Sequence, residues 1–174
     1  MCIRDSTNTL LGGSFASRIT SNIREQKGYT YSPSGSVSNF YRVAQWMEAA
    51  DVTSADTAAA LTEIYKEVDR LRNEPPTAEE LAGFQRYMAG LFVIRNSSPN
   101  GVLSQVAFLD LHGLPDSFLT NYVQNVYAVS PAQVSAMAKK WIDPSKMTLV
   151  VVGDLATVGE SVRKLPQLAG ATER

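Results

Sequence analysis

The sequence predicts an α+β fold in two layers, with helices packed on one face of a mainly antiparallel sheet. Three observations carry this. Residues 29–52 read as a pair of extended segments. Residues 57–142 then repeat their apolar side chains with a helical period, and Met147–Asp154 is an almost unbroken apolar strand closed by Gly153 and Asp154. At 174 residues, with 44% hydrophobic and 19% charged, the chain has the composition of a folded domain.

A first helix is expected from Phe15, Ile19 and Ile23, which recur every four residues, and Gly28 ends it where helices commonly turn left-handed. Tyr29 to Phe40 and Val43 to Val52 form a hairpin turning near Asn39 to Tyr41. A long helix comes after Asp51. Its apolar stripe is Ala58, Leu61, Ile64, Tyr65, Val68 and Leu71, with Glu63, Lys66, Glu67 and Arg70 covering the other side. Thr77 and Glu80 make a capping box for a helix reaching about Arg95. Helices over 102–111 and 117–128 come next. Ser130, Pro131 and Gln133 then open one that ends near Ile142, before Pro144. A last helix covers Val158 to Leu165.

The domain spans 8–168. Residues 1–7 are read as a non-native or disordered leader, because Met1 to Ser6 shares no pattern with the rest of the chain, and 169–174 as a loose tail. On this reading the native chain begins upstream, and an uncovered sheet edge leads to self-association.

Composition narrows function by exclusion. Sixteen basic and 17 acidic residues give a net charge of −1, without the basic cluster that a nucleic-acid partner would require. The longest apolar run is far too short for a membrane span. Cys2 is the sole cysteine, so there is neither an internal disulfide nor a thiolate cluster. His112 is the sole histidine and reads as a cap or surface residue. No His-x-x-Glu-His or inverse, Gly-x-Ser-x-Gly or phosphate-binding loop occurs, so neither catalytic residues nor metal ligands are assigned to this chain.

One stretch carries more. Arg24 ends the first helix, and Tyr29 and Tyr31, two apart on a strand, share a face. A guanidinium beside tyrosine hydroxyls makes a donor cluster able to grip a peptide carbonyl or steady an oxyanion. The alternative is that Arg24 caps the helix C-terminus and the tyrosines pack the sheet; taken alone, the residues favour this second reading.

The blocks Leu-Gly-Gly-x-Phe-x-Ser-Arg-Ile and Ile-Arg-Glu-x-Lys-Gly-Tyr-x-Tyr resemble the opening of the second half of insulinase/pitrilysin-family metallopeptidase subunits. Gly90-Leu91-Phe92, Gly113-Leu114-Pro115-Asp116, Ala128-Val129-Ser130-Pro131 and Leu149 to Asp154 come after them in that family's order. The resemblance covers about Asn8 to Leu165. It implies a C-terminal, non-zinc domain of a zinc endopeptidase or oligopeptidase. A zinc-bearing N-terminal domain or partner subunit supplies the metal motif, and no cofactor is bound by this chain. It puts the family's substrate-binding Arg on Arg24 and its Tyr on Tyr29 or Tyr31, with a peptide as substrate. An alternative of another class is a non-catalytic assembly or scaffold subunit, like processing-peptidase or respiratory core proteins, and a third is a free-standing peptide-binding module. The resemblance also suggests a periplasmic location.

Overall fold

The computed structural model describes residues 1–172. Helix α1 (Cys2–Leu11) lies at the centre, with Leu10 and Leu11 fully buried. The structure differs from the expected leader: residues 2–7 make the first turns of this helix, and Ser6 and Thr7 are buried against its neighbours. The Thr7 hydroxyl donates to the Ile3 carbonyl at 2.7 Å, a local bond that lets a hydroxyl sit inside a helix bundle.

Helix α2 (Arg18–Thr20) begins only at Ser17, whose hydroxyl accepts from the Thr20 N–H, and continues as a π-turn, Ser21–Gln26. Ile19 and Ile23 are buried as expected, but Phe15 precedes the helix and is 64% exposed. Its place in the four-residue recurrence is accidental, because Ser14 to Ser17 forms a turn instead. Gly28 ends the segment at φ 68°, a left-handed conformation that glycine reaches without steric cost.

Strands β1 (Ser34–Phe40) and β2 (Val43–Ala49) pair antiparallel, with Gly35 opposite Glu48 and Val37 opposite Trp46. The turn falls at Tyr41 and Arg42, the latter at φ 64°. Both strands are shorter than the expected segments; Thr30 and Val52 add one isolated bridge beyond them. The face carrying Trp46 lies on α1, where Trp46 Nε1 donates to Asn8 Oδ1 at 3.1 Å, while Met47 on the other face is 52% exposed.

Helices α3 (Thr57–Asn73) and α4 (Ala78–Arg95) pack around α1. On α3, Tyr65, Val68 and Leu71 are buried, yet so is Glu67, expected on the solvent side. The Thr77 hydroxyl accepts from the Glu80 N–H, but the Glu80 carboxylate turns to Arg18 rather than back to the cap, so half of the expected box forms. Helix α5 (Pro99–His112) starts one turn earlier than predicted, capped by Ser98. The expected 117–128 helix is split at Asn121 into α6 (Ser117–Thr120) and α7 (Tyr122–Tyr127).

Helix α8 (Pro131–Trp141) has the full reciprocal box of Ser130 and Gln133 and packs against α1 and α3. Helix α9 (Leu155–Arg163) starts earlier than predicted, its N–H groups capped by Asp154. The core joins Leu10, Leu11, Ile19, Ile23, Leu71, Leu81 and Val134 from several helical segments.

The α+β class holds, with a sheet reduced to one hairpin among the described residues. Residues 147–152 do not form the predicted strand. They run without regular structure, Val150 at 76% and Val152 at 94% exposure, because no described sheet edge lies alongside to pair their backbone groups. Of the expected tail, Glu173 and Arg174 lie outside the described residues; before them Pro166–Leu168 forms a short 3-10 turn.

Candidate functional site

The two extended segments that flank the hairpin come together at the single Thr30–Val52 bridge, and beside it opens a shallow cleft of about 600 Å³. The π-turn brings Arg24 and Glu25 to one wall, residues 28–31 form the floor, and Asp51, Val52 and Thr53 form the other wall. Thr30 anchors the floor, its hydroxyl donating to the Asp51 carbonyl at 2.7 Å.

The Arg24 guanidinium is stacked between two rings, its Cζ 4.4 Å from the centroid of Phe15 and 4.5 Å from that of Tyr31. Such stacking uses the faces of the planar cation and leaves its N–H edge for other partners. Glu25 Oε1 sits 3.0 Å from Nε, and among the described residues no other carboxylate pairs with Arg24. Tyr29 is half-buried against the core, whereas Tyr31 is 79% exposed.

All three residues singled out in the sequence therefore line one cleft. Arg24 lies in the last turn of the π-turn segment, as the helix-cap alternative expects, while its guanidinium stacks on two rings and pairs with Glu25. The expected strand beneath the tyrosines is replaced by one bridge, so they reach the cleft from an irregular segment. Sequence reasoning missed Phe15, which it placed in the apolar recurrence of the first helix, and Glu25. Their signal was present: Phe15 sits in a Ser-rich turn, and Glu25 is the immediate neighbour of Arg24.

His112 closes α5 with its ring 4.4 Å from that of Phe108, a packing role. Among the described residues no group of three or more His, Cys, Asp or Glu is placed to hold a metal ion, and no helix is long and apolar enough to cross a membrane.

Residues 5–88 match the family described as the peptidase M16 inactive domain, a span that includes the whole cleft. Over these residues the chain is similar to an M16 inactive domain. That domain is the non-zinc part of such enzymes. The fold agrees across more of the chain than the family match does. A peptidase M16 inactive domain from Pseudomonas fluorescens superposes with a TM-score of 0.73 at 22% identity, over 80% of this chain and 33% of that one. A protease from Helicobacter pylori gives 0.73 at 17% identity, over 82% and 34% of the two chains. A conserved protein from Enterococcus faecalis V583 gives 0.71 at 16%, over 80% and 32%. The chain thus spans about a third of each of these structures, and at such identities they establish the fold alone. No curated protein matches the chain.

Proposed function

We propose that this chain, similar over residues 5–88 to the M16 inactive domain, is the substrate-closing half of a zinc endopeptidase or oligopeptidase, gripping the peptide backbone through Arg24 with Tyr29 or Tyr31. The observation that carries the reading is the ring-stacked guanidinium at the wall of an open cleft whose floor bears both tyrosines. Zinc, held by the partner domain or subunit, supplies carbonyl polarisation and an activated water. This chain's part is to bind and orient. The N–H edge of Arg24 donates to a substrate carbonyl, and stacking on Phe15 and Tyr31 holds that edge in one plane. A tyrosine hydroxyl adds a second donor, Tyr29 from a fixed, half-buried position and Tyr31 from an exposed one.

The test is to reconstitute the chain with its zinc-bearing partner and to compare Arg24→Ala, Tyr29→Phe and Tyr31→Phe for peptide turnover and melting temperature. Removing a donor aimed at developing oxyanion charge costs roughly a hundredfold or more in rate. Turnover falling by about that factor for Arg24→Ala and for one tyrosine, with melting little changed, supports the reading and assigns the tyrosine. Unchanged turnover in all three variants returns Arg24, Tyr29 and Tyr31 to structural roles.

A further inference from the structure

The π-turn that carries Arg24 is held from both sides by one residue. Asn22 is 5% exposed, and its Nδ2 donates to Glu63 Oε2 at 2.8 Å and to Glu67 Oε1 at 2.9 Å, successive-turn neighbours on α3. Two carboxylates at that spacing repel each other, and one neutral amide carries two protons, enough to serve both. Lys66 at 2.9 Å from Glu63 and Arg70 at 3.5 Å from Glu67 balance the charge from outside. The Asn22 backbone carbonyl meanwhile accepts from the Lys27 N–H at 3.0 Å, the five-residue bond that makes this a π-turn.

That bond matters to the cleft. One extra residue in a turn shifts the phase of the side chains after it by about 100° around the axis. Arg24 lies inside this turn, and its guanidinium stands between Phe15 and Tyr31. We propose that Asn22 is the positioning residue of the site: by clamping the π-turn to the Glu63–Glu67 pair of α3, it sets where the Arg24 guanidinium stands over the cleft. The consequence for peptide turnover rests on the function proposed above; the clamp itself does not.

The experiment reads the two separately. A guanidinium between ring faces has its Nε–Hε resonance displaced by ring currents, and Arg24→Lys assigns that resonance by removing it from the spectrum of the full chain. Asn22→Ala should move it toward the position of a free arginine while backbone amides elsewhere stay in place. Glu63→Ala, which removes one of the two acceptors at a less buried point, should move it part of the way. Asn22→Asp, placing a third carboxylate there, should move it at least as far as Asn22→Ala. With the zinc-bearing partner present, Asn22→Ala should lower kcat/KM by about tenfold to a hundredfold, the scale of an ångström-sized misplacement. In an Arg24→Ala background it should lower it no further. A folded Asn22→Ala or Glu63→Ala chain with the Arg24 resonance unmoved overturns the clamp. A moved resonance alongside unchanged turnover in Arg24→Ala supports the clamp and overturns the substrate-gripping reading.

Discussion

Glu48 sits on β2 opposite Gly35, and both of its carboxylate oxygens are shut off from solvent without a hydrogen-bond partner among the described residues. The packing there is close. Gly35 N–H donates to the Gly12 carbonyl at 2.8 Å, and a Cβ on Gly35 would fall 2.8 Å from the Gly12 Cα, so the hairpin and the Gly-Gly turn lie in close backbone contact. Burial pushes the Glu48 carboxyl from 4.5 up to about 8. The neutral acid is therefore favoured in the folded state more than in the unfolded one. Stability is unaffected below the unfolded value near 4.5, falls as pH rises from there to about 8, and levels off above. The slope approaches about 1.4 kcal/mol per pH unit at its steepest. Melting temperature should thus drop between about pH 5 and pH 8, and Glu48→Gln, neutral throughout, should flatten that dependence. A Glu48→Gln chain that keeps the wild-type slope would remove Glu48 as its cause.

The elements themselves are fastened by a few polar contacts whose strengths can be ranked. Arg18 is 9% exposed and meets Glu80 through two parallel bonds, Nε at 2.8 Å and Nη2 at 2.9 Å, joining α2 to the first turn of α4. That pairing holds the Glu80 carboxyl below its usual range, the Arg18 hydrogen bond being the largest cause. Thr77 only caps α4. Thr77→Ala should cost about 1 kcal/mol, as lost N-caps do. Glu80→Ala strands a nearly buried guanidinium and should cost about 2–3 kcal/mol, since charged hydrogen bonds are the stronger kind. Urea unfolding of the two variants checks the order; equal losses would mean that the Arg18 pair contributes no more than a cap. At α8 the complete Ser130–Gln133 box predicts that Ser130→Ala lowers the melting temperature by about 2–4 °C, roughly 1 kcal/mol in a chain of this size.

On the scale of the whole molecule, the apolar surface is unevenly covered. Val150 and Val152 are 76% and 94% exposed in an unpaired, β-branched run, and Phe40, Val43 and Met47 are exposed on the hairpin. Unpaired extended backbone with apolar side chains invites pairing with a second copy. The chain should therefore self-associate as its concentration rises, measured by sedimentation velocity. The double variant Val150→Lys, Val152→Lys should shift that equilibrium toward monomer. A wild-type chain that sediments as a monomer at high concentration would show that this surface does not self-pair.

Much of the architecture was legible in the sequence because its determinants are local. The Ser130-Pro131-x-Gln133 start needs only its own turn, Gly28 only its own φ, and the long stripe of α3 only helical spacing. The cleft residues Arg24, Tyr29 and Tyr31 were legible as well, through motif spacing and family resemblance, and all three line one cleft. Only the tertiary structure decided what depends on partners distant in the chain. It turned Glu80 to Arg18 across 62 positions instead of to its own cap, and buried Glu67 beneath Asn22 across 45. It also drew Ser6 and Thr7 into the core helix, moved Phe15 from the expected first helix to the face of a guanidinium, and left residues 147–152 without a described strand to pair with. The reason is common to these cases. A side chain's local pattern states what it could satisfy, whereas which charge, ring or sheet edge stands opposite it is set by packing that brings remote segments together.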